Sequence, residues 1–199
     1  MELHTPLRSR TASPRGGFSL VELVITMTIM TILVGVVSMR ASGMTNKARA
    51  AKIIQTVENL RTPVMLYHQD TSQLPREYSG RQGATYHRLS TDPGTAGWDG
   101  PYIEDPIRRS WNPTGGNVHL YNYCVNGHTG GNGFDLDGDG NGDVTGQDGC
   151  MITFWQVDQE IAEKVDDAFD RSLPGTWSDA GRVEYQSNSR RMAILLYAR

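Results

Sequence analysis

Apolar and polar positions divide the chain into stretches of different character. Met1 to Gly17 is polar and carries Arg8, Arg10 and Arg15 against the single Glu2, with no periodic apolar face, so no folded element is expected there. Phe18 to Met39 follows as an apolar run of 22 residues whose one charge is Glu22. A hydrocarbon core about 30 Å thick takes roughly 20 apolar residues as helix, so this run can span a bilayer. The three arginines on its N-terminal flank place that side in the cytoplasm and predict export of everything after Arg40.

From Thr45 the pattern becomes amphipathic. Ile53, Val57, Leu60, Val64 and Tyr67 recur at steps of four, three, four and three, the stripe of a helix lying on a core. The expected organisation is therefore a leader over 1–17, a transmembrane helical half over 18–39, an amphipathic half over 40–70 and a globular head over 71–199. Gly35, Gly43 and Pro63 are the expected bends. Beyond Gln73 the composition shifts to Gly, Pro, Asn, Asp and Ser, and long helices are not expected before Phe154. Val118 to Val125 alternates as a strand, and MITFW after Cys150 is a second apolar run. Phe154 to Arg171 sets Val157, Ile161, Val165 and Phe169 at steps of four, an amphipathic helix ended by Leu173-Pro174-Gly175. Gly181–Tyr185 and Arg191–Tyr197 are expected to form a hairpin over 181–198, turning through Gln186 to Ser189. Trp98 and Tyr102 are expected as core aromatics.

Composition narrows the function. A length of 199 residues and 22.0 kDa allows one domain with attachments and argues against a multidomain enzyme. The net charge is −3, so nothing favours phosphate-backbone binding and nucleic acid is not an expected partner. The five histidines are dispersed, and there is no GxSxG, no phosphate loop and no His-Glu metal motif, so no enzymatic activity is expected.

The membrane run admits three readings. A cleaved secretory signal has an apolar region of about 7 to 15 residues; this run is longer, and the small residues Ala41-Ser42-Gly43 sit beside Arg40. A plain anchor has no use for Glu22, because a carboxylate in the membrane costs about 2.5 to 3.5 kcal/mol on insertion scales. The third reading gives Glu22 a partner. Gly16-Gly17-Phe18-Ser19-Leu20-Val21-Glu22-Leu23 resembles the class III prepilin signal of type IV pilins and type II secretion pseudopilins. That resemblance implies cleavage between Gly17 and Phe18 by a prepilin peptidase and methylation of the new N-terminus. It also implies that Glu22 pairs with the N-terminal amine of a neighbouring subunit, two opposite charges that offset part of each other's desolvation. The implied fold is α+β and pilin-like, with a long N-terminal helix and a small antiparallel-sheet head. The implied partners are other pilin or pseudopilin subunits in a helical filament, the peptidase and an inner-membrane assembly platform. The implied location is the inner membrane with the head in the periplasm, then a periplasmic pseudopilus or an extracellular pilus. Thr95 to Ile103, with Trp98-Asp99-Gly100-Pro101-Tyr102, resembles the segment ahead of the sheet in the major pseudopilin; Asp105-Pro106 and Trp111-Asn112-Pro113 continue it. An adhesive or minor pilin, or an anchored domain that never polymerises, are the alternatives.

The strongest chemical signal in the head is FDLDGDGNGDVTGQDG from Phe134 to Gly149, within a stretch from Ser110 to Glu163 that has no Lys or Arg. Aligned on Asp137, it resembles the 12-residue calcium loop of EF-hand and dockerin modules. The ligands would be Asp137, Asp139 and Asn141, the Asp143 carbonyl, Thr145 and the closing Asp148, with Gly142 at the turn. A register beginning at Asp135 is the alternative. Hard oxygen donors select calcium over zinc, and calcium would take the place of missing core, as in the major pseudopilins. A solvated Asp-Gly turn without metal is the other reading. Cys124 and Cys150 bracket this loop, and export to an oxidising compartment makes one disulfide the expected state. Two free thiols, or a weak metal pair with His128, are the alternatives.

Overall fold

The computed structural model describes residues 17–124, 133–171, 173 and 175–199, and the backbone alone at 39–42. The leader residues 1–16, Val125, His128 and Pro174 lie outside the described residues. The chain divides into two units, residues 1–42 and 43–199, each described by itself. Helix α1, Leu20–Thr71, begins in the first and continues in the second, and it runs through Gly35, Gly43 and Pro63 without ending.

In the first unit every large apolar side chain from Phe18 to Val37 is exposed, as expected of a segment long and apolar enough to cross a membrane. Its hydroxyls are satisfied within the helix. Thr26, Thr28, Thr31 and Ser38 donate to carbonyls one turn back at 2.7 to 3.0 Å, which leaves only apolar surface facing outward along this stretch.

The second unit is built on the amphipathic stripe. Ala50, Ile53, Val57, Leu60, Val64 and Tyr67 are buried, and α1 stops where Ser72 turns into the left-handed region at φ 55° with its N–H donating to the His68 carbonyl at 2.8 Å. Five antiparallel strands follow: β1, Glu77–Tyr78; β2, Val118–Tyr121; β3, Gly149–Trp155; β4, Val183–Gln186; and β5, Arg191–Ala198. Their order across the sheet is β1-β2-β3-β5-β4. Helix α2, Gln159–Phe169, lies between β3 and β4 in the chain.

Strand alternation sorts the sheet's side chains into two clusters. Val118, Leu120, Cys150, Ile152, Phe154, Val183, Met192 and Ile194 join the α1 stripe and Ile161, Ala162 and Val165 of α2. Tyr121, Met151, Ala193 and Leu195 gather on the other face with Cys124, Phe134 and Val144. Trp98 and Tyr102 are half-buried against the main core; the Trp98 indole N–H donates to Arg88 O at 2.9 Å and the Tyr102 hydroxyl to Asp70 Oδ2 at 2.8 Å. Gly97 is required there, because at φ 84° a Cβ would stand 2.1 Å from the Asp70 carbonyl oxygen.

Three boundaries differ from the sequence expectation. Phe154 and Trp155 belong to β3, not to the following helix, because Gln156 at φ 59° turns the chain before α2 starts at Gln159. The strand at Val118 ends at Tyr121, and Cys124 pairs instead through an isolated bridge with Gly146. The C-terminal hairpin of β4 and β5 turns at Ser187–Arg190, with Arg190 at φ 49°, one residue beyond the expected Gln186–Ser189.

Candidate processing and cation sites

Gly17 and Phe18 precede the first turn of α1, and Phe18 is 89% exposed. Ser19 and Glu22 form a capping box: Glu22 Oε2 accepts the Ser19 N–H at 3.1 Å, and Ser19 Oγ accepts the Val21 N–H at 3.3 Å. A carboxylate is thus held at the helix N-terminus, where the macrodipole favours negative charge. The same placement points it toward the end that cleavage after Gly17 would convert into an ammonium group.

The acidic loop of the second unit is closed by backbone. Phe134 and Val144 exchange both N–H···O bonds at 3.1 Å, and their buried side chains anchor the loop ends in the smaller apolar cluster. Between them the carboxylates fold inward onto amides. Asp135 accepts from Gly138 and Gly140 at 2.7 and 2.8 Å, Asp137 from Asp139 at 3.1 Å, and Asp143 from Leu136 at 2.7 Å. Gly138 and Gly140, at φ 76° and 88°, permit these tight turns. The Asp135 carbonyl takes the Gly181 N–H at 2.6 Å, tying the loop to the approach to β4.

Asp135, Asp137 and Asp143 each present an oxygen within 4.8 Å of the others. Asp139 and Asp148 lie outside that group: Asp139 Oδ1 accepts the Asn141 N–H at 2.8 Å, and Asp148 is held at the start of β3 between Thr145 O and Arg199 N–H. Asn141 and Thr145 are exposed. The converging set therefore includes Asp135, the first residue of the alternative register, and its signal in the sequence is the Asp135-x-Asp137 alternation itself. Burial pushes the Asp135 carboxyl up, but the N–H groups of Gly140, Gly138 and Asp139 outweigh it and hold it below its ordinary value. Asp137 stands above its ordinary value: the Asp139 N–H lowers it, while desolvation and the charges of Asp139, Asp143 and Asp135 more than reverse that. A calcium ion takes oxygens at about 2.4 Å, so donors on opposite sides of it stand about 4.8 Å apart. The donor chemistry and the spacing of this group fit such an ion.

Cys124 and Cys150 are both buried as free thiols, not the expected disulfide. The reason is strand alternation. A Cβ on Gly149 would stand 2.8 Å from Cys124 Sγ, so Cys124 lies over the face carrying Gly149 and Met151, whereas Cys150 points to the α1 side with Ile152. Burial pushes the Cys124 thiol up to about 12, which keeps it protonated and unreactive.

Residues 13–38 match the family model described as a prokaryotic N-terminal methylation motif. No curated protein and no solved structure matches the chain. The motif spans Gly17, Phe18 and Glu22 and supports a type IV pilin- or pseudopilin-like protein. The long helix α1 and the five-stranded antiparallel sheet are the α+β, pilin-like architecture.

Proposed function

We propose that the chain is a structural filament subunit: cleaved between Gly17 and Phe18, N-methylated on Phe18, and assembled through its apolar helix into a type II secretion pseudopilus or type IV pilus. The observation that carries this reading is the methylation motif at residues 13–38, within which Glu22 stands in an apolar span four residues after Phe18. In the assembled state Glu22 exchanges the Ser19 N–H for the N-terminal ammonium of a neighbouring copy, the one cation that the processing step creates inside the apolar layer. The stretch Trp98-Asp99-Gly100-Pro101-Tyr102 favours the secretion pseudopilus. No catalytic role is assigned to any residue.

In the head, Asp135, Asp137 and Asp143 are the residues that hold calcium, with Asp139, Asn141, Thr145 and Asp148 on the same loop. Bound there, the ion supplies the positive charge that offsets their mutual repulsion and stiffens a loop rich in glycine. The test is the yield of sheared filaments from cells that carry a prepilin peptidase and an assembly platform. Glu22→Ala should be processed like the native chain and be absent from the filament fraction. A Glu22→Ala chain that assembles normally, or a native chain found in no filament, would sink the reading.

A further inference from the structure

The head carries two oppositely charged surfaces on opposite edges of its sheet. At the β1 edge, the guanidinium groups of Arg76 and Arg81 both lie over the ring of Tyr86, at 5.5 and 5.9 Å from its centroid, with Tyr78 beside it at 5.8 Å. The segment is cross-linked by hydrogen bonds. Buried Glu77 binds His87 Nδ1 at 2.8 Å, and His87 Nε2 meets the Arg81 carbonyl at 2.8 Å. Arg76 Nε donates to the Thr85 carbonyl at 2.6 Å. Among the described residues neither guanidinium has a carboxylate within ion-pair distance, so two like charges are held on one ring with no anion to balance them. At the other edge, α2 packs against β4. Its outward face carries Glu163 and Asp167, four residues apart and both exposed, while Ile161, Ala162 and Val165 are buried beneath. Glu163 accepts from Gln159 Nε2 at 2.9 Å, and Asp167 meets the Arg171 guanidinium at 3.8 Å, an exposed pair of the weak kind that a docked guanidinium can replace.

We propose that these surfaces are the two halves of one contact: the Arg76–Arg81–Tyr86 surface of one copy docks on the Glu163–Asp167 ridge of the next. The inference rests on the filament-subunit reading above. A second copy is favoured over a foreign polyanion because the complement is present on the same chain, and because the chain after Gly17 is acidic overall. Taking the leader's three Arg and one Glu from a net charge of −3 leaves −5. Copies of such a chain repel unless their few cationic surfaces meet acidic ones. Placement matters as much as charge. Two different patches on opposite edges make a heterologous contact, and repetition of such a contact generates an open helical array, not a closed dimer. Strand β1, only two residues long, is too short to add strands edge to edge, so side chains make the contact. The Asp135–Asp143 loop is the weaker complement because calcium would neutralise it.

The test is a charge exchange in the full chain, in cells with the peptidase and assembly platform, read as filament yield alongside processing to the mature chain. R76E/R81E and E163R/D167R should each lower the yield about tenfold with processing unchanged, since surface pairs are individually weak but like charges now face each other in every repeat. The chain carrying all four substitutions should recover the native yield, which also shows that both altered surfaces still fold. Native-level assembly of R76E/R81E overturns the proposal, as does failure of the four-substitution chain to recover. If R76E/R81E assembles normally yet is no longer retained on an immobilised single-stranded oligonucleotide, the surface serves a polyanion and the proposal is overturned. If the native chain is processed but forms no filament, the filament reading itself fails and takes this contact with it.

Discussion

Gly17 has open space where a side chain would stand: an added Cβ would meet no atom within 4 Å. The fold therefore makes no demand for glycine there, and in the proposed processing the demand would come from the peptidase that takes the Gly17–Phe18 bond. Gly17→Ala should leave α1 intact and leave the chain unprocessed, seen as a band that keeps the leader's extra mass. In the head, Glu77 is a buried carboxylate that burial pushes above its ordinary value, while His87, the Leu89 N–H and Ser90 pull it back down. Removing one partner of a buried pair costs about 3 to 5 kcal/mol, so His87→Ala should lower the urea stability of the full chain in detergent by about that much. Asp166 is a different case. Burial, then the charges of Asp170 and Asp167, push it up to about 7, and among the described residues its Oδ1 has no hydrogen-bond partner. A raised carboxyl stabilises fully below its unfolded value, and that contribution is lost as pH rises through about 7, so above pH 7 the ionised group is a burden. Asp166→Asn should therefore raise the melting temperature at pH 8 and raise it less at pH 5; an equal gain at both would contradict this account.

At the scale of elements, the α1 stripe decides whether the head holds together. Leu60 is buried and Met65 is exposed on the same helix. Leu60→Ala should cost about 2 to 5 kcal/mol and Met65→Ala within about 0.5 kcal/mol, read from denaturant midpoints. That stripe was legible in the sequence because one side chain in every three or four carries the whole signal. The β3–α2 boundary was not, since Phe154 and Trp155 are apolar and suit a strand or a helix equally; only the left-handed turn at Gln156 decides, and glutamine does not advertise it. Strand β1 is too short to leave a pattern, and the cysteine arrangement depends on which face of β3 each thiol meets. The acidic loop was legible as chemistry but not as register, because backbone amides gather Asp135 with Asp137 and Asp143 while Asp148 is drawn to β3. Asp143→Asn should weaken the proposed stabilisation by calcium. At ten times the dissociation constant that stabilisation is about 1.4 kcal/mol in the native head, seen as a rise in melting temperature that the variant reaches only at higher calcium.

Across the whole molecule, the proposed filament draws on an apolar helix segment with exposed side chains and on a head with charge of both signs at its edges. The helix hydroxyls are turned back onto their own carbonyls, so what remains along that stretch for neighbours is apolar surface and the single carboxylate of Glu22. In the proposed filament the pairing of Glu22 needs N-terminal processing, because the ammonium group it would meet is created only when the Gly17–Phe18 bond is cut. The most direct measurement is the intact mass and N-terminal sequence of the chain recovered from membranes of cells with a prepilin peptidase. The account predicts a chain that begins with N-methylated Phe18. A chain still beginning at Met1, or one cut beyond Ala41, would contradict it.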